Sequence, residues 1–324
     1  MERRVMVKNK IVKGVIACTI AGVAFGAQWP VAGSALKLID PYYFTLLRYG
    51  IVAVILAMIL LISEGKKGFK VEKKQLLPIF FMGTLAFCVF NFFVFAGQQM
   101  AGTSGTILAS LLMTLVPMIS VLVLWVITKE RPRSYTLILA VISLVGVLLV
   151  ITKGSLQVIR QDSHMLLPML LMIISVLAWV FYTIGESQFA MWSPLKYTTI
   201  SCLFGNIASI IVIIIMTGVG MVKVPTLQTI VDIKFQLGYM SLIAGVLGVL
   251  MWNIGNTLLT PQNGSLFMNL APIVTLIVEV AQGYHLSGVE LAGAIITVFA
   301  IIMNNVLNRV VQAHEWSPQK DTKI

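Results

Sequence analysis

About ten apolar stretches, each long enough to cross a bilayer, dominate this chain of 324 residues. A membrane-spanning helix needs about 20 mostly apolar residues, because the hydrocarbon core of a bilayer is about 30 Å thick. The stretches lie at residues 12–34, 42–62, 75–97, 104–127, 134–151, 165–186, 196–216, 236–258, 263–282 and 289–308. The sequence therefore predicts an all-α integral membrane protein with ten transmembrane helices.

The second five stretches repeat landmarks of the first five. Aligning Pro117 with Pro272 pairs Leu115 with Leu270, and each proline is followed by a tight polar turn and one final apolar stretch. A block of five spans enters the membrane in the opposite sense when it is repeated, which gives the inverted repeat of many secondary transporters. We predict a first repeat at 1–151, a linker at 152–164, a second repeat at 165–308 and a cytoplasmic tail at 309–324.

Prolines indicate where several of these helices begin or bend. Asp40-Pro41 and Ser193-Pro194 each precede an apolar stretch, and proline suits the first turn of a helix because its missing N–H is not needed there. Pro30, Pro117 and Pro272 fall inside predicted spans, where each removes one helical hydrogen bond. Such kinks either face a cavity or only improve packing, and the equivalent positions of Pro117 and Pro272 favour a shared architectural role.

Composition and charge limit the class of protein. Charged residues make up 11% of the chain and hydrophobic residues 58%, whereas a soluble domain has about 25% charged residues. Most of the 23 Lys and Arg residues lie in segments that become cytoplasmic if the N-terminus is inside. The positive-inside rule then predicts a multi-pass protein of the cytoplasmic membrane with both termini in the cytoplasm. The net charge of +11 therefore orients the chain, and we expect no nucleic-acid partner.

The residues that usually carry catalysis or bind metals show no functional pattern. Cys18, Cys88 and Cys202 are isolated thiols within predicted spans, and the three histidines fall outside the spans. No spacing of His, Cys, Asp or Glu matches a metal site, and no nucleophile stands beside a base at membrane depth. We predict that the chain is not an enzyme and uses neither a metal nor another cofactor.

Several short motifs occur along the whole chain, and they follow one another in a definite order. They are Phe25-Gly26, Leu47-Arg48-Tyr49, Pro117 with the turn Lys129-Glu130-Arg131, Ala178-Trp179, Phe181-Tyr182, Trp252-Asn253, Asn269-Leu270-Ala271-Pro272 and Leu286-Ser287. Their order and spacing resemble the drug/metabolite transporter superfamily, specifically its ten-helix EamA-type members. Gly283-Tyr284-His285 departs from the Gly-Glu-Arg usual in that turn of the family. The resemblance implies an inverted-repeat carrier with alternating access, whose substrates range over amino acids, their analogues, sugars, nucleotide sugars and other metabolites.

Two charged residues within the predicted spans are candidates for function. An arginine at the membrane centre costs about 2.5–3.5 kcal/mol on insertion scales, so Arg48 should face the bundle interior or a wet cavity. It could hold a substrate carboxylate by bidentate hydrogen bonds, or anchor the helix on backbone carbonyls. Glu279, in the outer part of the ninth span, is either a proton-coupling carboxylate or a structural group that snorkels, pairs with an outer basic residue or sits protonated between helices.

Uncharged polar and aromatic residues approach the midplane from both sides of the predicted bundle. Aromatic side chains beside amides are the usual lining of a small-molecule pocket, although a single asparagine in a membrane helix more often joins two helices. Together with Arg48, the predicted substrate-binding set is Gln28, Trp29, Asn91, Ser110, Thr114, Trp179, Tyr182, Asn206, Trp252, Asn253 and Asn269.

These observations predict a secondary transporter that exports a small organic metabolite, an amino acid or a related compound, by alternating access. Protons are the candidate coupling ion, and the bilayer is the other expected partner. An internal repeat can form a complete pathway in one chain, so we expect a monomer or a weak homo-oligomer. The alternative is a non-transporting membrane receptor or scaffold, in which the polar set would only join helices.

Overall fold

The computed structural model describes residues 2–113, 115–129, 131–152, 165–259 and 264–316, and every regular element in these ranges is helical. The α-helices are α1 (Glu2–Ala35), α2 (Pro41–Glu64), α3 (Lys73–Met100), α4 (Gly105–Met113), α5 (Val116–Thr128), α6 (Ser134–Thr152), α7 (Leu166–Gly185), α8 (Pro194–Gly218), α9 (Leu227–Asp232), α10 (Lys234–Leu259), α11 (Leu270–Ala281) and α12 (Gly288–Trp316). Helices α1 to α6 belong to the first half of the chain and α7 to α12 to the second.

The lengths of these helices confirm a helical protein that crosses the membrane several times. Within the described ranges, α1, α2, α3, α7, α8 and α10 are each long and apolar enough to span a bilayer. Helices α4 and α5 form a further candidate span that bends by 45°. Helices α6, α11 and α12 contain shorter apolar stretches, so helix length alone supports six or seven spans and does not fix the predicted number of ten.

The predicted starts of the second and seventh spans are confirmed, and each has a side-chain cap. The Asp40 carboxylate accepts a hydrogen bond from the backbone N–H of Tyr42 at 2.9 Å, and the Ser193 hydroxyl accepts one from that of Lys196 at 3.0 Å. In both cases the proline after the cap is the first residue of the helix. The caps satisfy N–H groups that have no partner within the helix, so short sequence motifs define these two boundaries.

The prolines predicted to kink the fourth and ninth spans instead lie where a helix restarts. Pro117 lies in the first turn of α5, after the bend from α4. Pro272 lies in the first turn of α11, after the 3-10 turn Ser265–Asn269. A proline in the first turn leaves no backbone acceptor without a donor, which explains why the chain breaks before these residues. Pro30, by contrast, lies inside α1, which continues past it.

Two π-helical segments interrupt the long helices α3 and α10. They comprise Thr84–Val89 in α3 and Tyr239–Gly248 in α10. The two helices correspond to the third and eighth predicted spans, which are equivalent positions in the two predicted repeats. A π segment shifts the rotation of the side chains that follow it and is frequent at functional sites. Hydropathy does not reveal such a segment, since the sequence remains apolar throughout.

Glycines allow close crossings between helices of the two halves. A Cβ atom on Gly83 of α3 would overlap the backbone oxygen of Ser201 in α8, and one on Gly205 would overlap the backbone of Gly83. Helices α6 and α12 cross in the same way at Gly146 and Gly293. Small residues promote helix association in membranes because they let the backbones approach closely.

The substitution Gly83→Ala should lower the stability of the protein. The added methyl group would overlap the α8 backbone, and overpacking of this kind typically costs about 1–3 kcal/mol. Gly50→Ala in α2 is the matched control, since a Cβ there would meet nothing within 4 Å and alanine is favoured over glycine inside a helix by about 0.5–1 kcal/mol. The measurement is thermal unfolding in one detergent, and equal unfolding temperatures for the two variants would contradict the close crossing.

Candidate functional site

A narrow, partly open cavity lies between helices of the two halves. Of the predicted binding set, four residues line it: Gln28, Trp29, Arg48 and Trp179. The other lining residues, which the sequence analysis did not assign to the site, are Phe25, Tyr49, Phe90, Met113, Val249, Met268 and Ala271. Because the wall includes α1 to α4 on one side and α7, α10 and α11 on the other, any relative movement of the two halves would change the shape of the cavity.

The Arg48 guanidinium is the charged group of this cavity, and the residue is only 1% exposed. Its Nε donates to the backbone carbonyl of Met240 at 2.8 Å, and one terminal nitrogen donates to Gln28 Oε1 at 3.1 Å. The other terminal nitrogen donates to Asn91 Oδ1 at 3.3 Å. An arginine carries five N–H donors, so two of them have no acceptor among the described residues. One edge of the guanidinium is therefore anchored on a backbone carbonyl, and the predicted contact with a substrate carboxylate stays a prediction.

The positive charge of Arg48 is balanced by aromatic rings and dipoles rather than by a carboxylate. Its central carbon lies 4.7 Å from the ring centroid of Tyr49 and 5.7 Å from that of Phe95. Among the described residues, no carboxylate lies within 4.0 Å of the guanidinium. A buried charge without a counter-ion is costly, so the cavity has a net positive character that an anion would relieve.

Two buried tryptophans add hydrogen-bond donors to the same cavity. The indole nitrogens of Trp29 and Trp179 have no hydrogen-bond partner in the described parts of the chain, and both side chains line the cavity. An indole N–H can only donate, and when buried it usually has an acceptor. Trp179 is held in place by Phe90, at 5.0 Å between ring centroids, and by Phe25 at 6.1 Å.

A second polar cluster lies beside the cavity, around Tyr182, one helical turn after Trp179 in α7. The Asn253 amide donates to the Tyr182 hydroxyl at 3.0 Å and to the Thr198 hydroxyl at 2.5 Å. The Tyr182 hydroxyl also lies 3.5 Å from that of Ser201, and its ring lies 5.5 Å from that of Trp179. These bonds connect α7, α8 and α10, so Tyr182 and Asn253 support the wall of the cavity without lining it.

Asn206 and Trp252 also contribute to the surroundings of the cavity. The Asn206 amide donates to the backbone carbonyl of Tyr49 at 3.0 Å, which joins α8 to α2 beside the arginine. Trp252 is completely buried and lies 6.2 Å from Phe25 between ring centroids. The structure therefore places both next to lining residues.

The remaining uncharged candidates differ in their positions. Ser110 donates to the carbonyl of Ile107 in its own helix at 2.8 Å, which is a local bond and not a contact with the cavity. Asn269 is buried, and its Oδ1 has no partner among the described residues, although the neighbouring Met268 lines the cavity and Asn269 does not. Thr114 lies outside the described residues.

Two carboxylates within helical spans lie away from the cavity lining. Glu279 in α11 is partly buried, and Lys37 is near enough for its charge to act on the carboxylate, although no ion pair within 4.0 Å joins the two described residues. Glu186, which the sequence analysis did not consider, follows α7 and accepts a hydrogen bond from Thr257 at 3.2 Å. The predicted coupling role of Glu279 has no structural test here and stays a prediction.

The lining residues missed by the sequence analysis are mostly apolar. Phe90, Met113 and Val249 look in the sequence like any other apolar residue of a membrane helix, so no signal separates a cavity wall from a packed interface. Gln98 was a detectable omission, because a buried amide is unusual in a span. It donates to the backbone carbonyl of Trp29 at 2.8 Å and thereby fixes the helix that carries three lining residues, Phe25, Gln28 and Trp29.

Comparisons with known proteins agree with this architecture. The model of the EamA-like transporter family matches the chain twice, at residues 12–152 and 166–306. An uncharacterized transporter of Bacillus subtilis (strain 168), YrdR, is 38% identical over 304 residues, which is 94% of each chain. A second uncharacterized transporter of that organism, YyaM, is 25% identical over 288 residues, covering 88% of this chain and 91% of its own length. A solved crystal structure shares the fold with a TM-score of 0.67, at 17% identity over 94% of this chain and 99% of that one.

The hydrogen bond between Asn253 and Tyr182 should be measurable as a coupling energy. We expect Asn253→Ala and Tyr182→Phe each to lower the free energy of unfolding, and the double variant to lose less than the sum. Hydrogen bonds between membrane helices contribute about 0.6 kcal/mol on average and at most about 1.7 kcal/mol, which sets the size of the expected difference. The measurement is a double-mutant cycle by denaturant unfolding in mixed micelles.

The control cycle combines Asn253→Ala with Ser110→Ala. The Ser110 hydroxyl bonds within its own helix, so these two effects should be additive. Additive effects for Asn253 and Tyr182 as well would contradict the hydrogen bond seen in the structure.

Proposed function

Because this chain belongs to the EamA-like transporter family, we propose that it is a secondary transporter that moves a small organic metabolite across the cytoplasmic membrane. One observation supports this most directly: a cavity with a buried cation lies between the two halves and is lined by residues of both. Substrate sites of inverted-repeat carriers lie at the interface of the repeats. The charge distribution of the sequence supports an orientation with both termini in the cytoplasm.

Alternating access is the mechanism that we propose. The two halves carry equivalent landmarks, namely a capped helix start with proline in α2 and α8, a π segment in α3 and α10, and a proline in the first turn of α5 and α11. Two similar five-helix units of opposite orientation can exchange conformations, which opens a central site to one face of the membrane at a time. When one unit rocks against the other, the helices that form the cavity wall would move apart on one side of the membrane and close on the other.

The proposed substrate is an amino acid or a related compound, and the proposed direction is export. A buried arginine suits a carboxylate, and the surrounding aromatic and aliphatic residues suit an apolar body. One cation is too few for a phosphorylated or multiply charged anion. A metabolite made inside the cell has an outward gradient, so a carrier without strong coupling would move it outward.

Transport should be observed directly in liposomes that contain the purified protein. We expect saturable counterflow of labelled leucine or phenylalanine above that of protein-free liposomes. If Glu279 couples transport to protons, a pH gradient should accelerate net uptake by the native protein, and Glu279→Gln should abolish that acceleration while preserving counterflow. Glu186→Gln is the matched control, because Glu186 is the other partly buried carboxylate described above and is held by Thr257.

Each outcome of this experiment is informative. Acceleration that persists in Glu279→Gln, or an absence of any response to the gradient, would remove the coupling role from Glu279. If folded protein in liposomes shows counterflow of neither leucine nor phenylalanine, the result would contradict the proposed transport and favour a receptor or scaffold.

A further inference from the structure

We propose that the cavity recognises its ligand through a single carboxylate and makes no use of an amino group. The substrate class would then be small monocarboxylates with an apolar body, for which an amine is optional. That the bound ligand is also the transported substrate rests on the proposed function. Binding itself can be tested without transport.

The first support is the number of hydrogen-bond donors without an acceptor on the side chains that line the cavity. Arg48 has two N–H groups free of described acceptors, one on each terminal nitrogen. The indoles of Trp29 and Trp179 each add one. An ionised carboxylate accepts at both oxygens, with about four lone-pair sites, and donates nothing. Its hydrogen-bonding capacity therefore matches the donors that this cavity leaves open.

The second support is the unbalanced charge. Arg48 is fully enclosed, and among the described residues no carboxylate lies within 4.0 Å of it. Removing a charge from water is costly unless an opposite charge accompanies it. A ligand carboxylate would supply that opposite charge, whereas a neutral ligand would leave the cost in place and a cation would add repulsion.

The third support is what the described lining lacks for an ammonium group. The lining contains no aspartate or glutamate within the described ranges, and one of the two lone pairs of the Gln28 amide oxygen is already used by Arg48. An ammonium group in this cavity would face the guanidinium without a compensating anion of the protein. The amine of an amino acid would therefore lose its hydration without gaining an ion pair from the described lining.

The remaining wall accounts for the apolar body of the ligand. Phe25, Phe90, Met113, Val249 and Ala271 line the cavity and offer no charged or hydrogen-bonding side chain. Pockets with a few fixed polar groups and an otherwise apolar wall orient a ligand by its polar end. We therefore place the carboxylate at Arg48 and the hydrocarbon part against these residues.

The test compares four ligands that differ only in their polar groups. Isocaproate has the carboxylate of leucine without its amine, leucinamide lacks the carboxylate charge, and isoamylamine lacks the carboxyl group altogether. Binding of these three and of leucine to the full-length protein in detergent is measured by isothermal titration calorimetry. We expect isocaproate to bind at least as tightly as leucine, and leucinamide and isoamylamine to bind at least about tenfold more weakly, since hydrogen bonds to charged groups contribute enough for such a difference.

Three variants locate the carboxylate within the cavity. Arg48→Lys keeps the charge but loses the planar pair of donors, so isocaproate affinity should fall by about tenfold or more. Trp29→Phe and Trp179→Phe remove only the indole donors and should each weaken isocaproate binding several-fold. Trp125→Phe is the matched control, because Trp125 lies in α5 and does not line the cavity. The affinity of this variant for isocaproate should equal that of the native protein.

The result with the native protein decides the question even if a variant fails to fold. Tighter binding of leucine than of isocaproate by tenfold, binding of isoamylamine, or no binding of any of the four ligands would overturn the inference. Carboxylate-selective binding in a protein that shows no counterflow would uphold the inference and refute transport. Counterflow that leucinamide inhibits as well as leucine does would uphold transport and refute carboxylate recognition.

Discussion

The hydrogen bonds of Arg48 connect the parts of the structure on which the cavity depends. Its Nε bonds to the carbonyl of Met240, in the π segment of α10, and a terminal nitrogen bonds to Asn91. Asn91 in turn donates at 2.8 Å to the carbonyl of Ala86, in the π segment of α3. One guanidinium thus ties together the two irregular segments, one from each half. Backbone carbonyls inside a membrane must be satisfied by the protein, so the arginine is at once a structural anchor and the cation of the site.

The rest of the bundle has to hold this charge without much help from the hydrophobic effect, which does not drive one membrane helix onto another. Close crossings at Gly83 and Gly146 bring backbones together, and the Asn253 network joins α7, α8 and α10. These contacts leave a cavity in which the Arg48 guanidinium and the indole N–H groups of Trp29 and Trp179 keep donors without acceptors among the described residues, set among aromatic and aliphatic walls. A cavity of this polarity would favour an anion over a cation.

Sequence reasoning succeeded where local rules apply. Hydropathy identified the helical segments, and the proline motifs marked the starts of α2 and α8. The cost of a charge in lipid identified Arg48 as a residue that must face inward. It succeeded less well where a side chain depends on helix rotation: Trp29 and Trp179 line the cavity, but Ser110 bonds to its own helix and Tyr182 lies one layer away. Phe90 and Met113 could not have been selected, since an apolar residue has the same signature in a cavity wall as in a packed interface.

The sequence by itself determined that this protein lies in a membrane, that its fold is helical and where several helices begin. Apolar length, the cost of a charge in lipid and capping residues are all properties of short segments, so they can be read along the chain. The tertiary structure alone decided how the π segments rotate α3 and α10 and which donors remain without acceptors. Those outcomes depend on the angle and distance at which helices from opposite halves cross. An indole N–H or a guanidinium is satisfied or left open only by what the neighbouring helix presents to it, and no pattern along one segment contains that information.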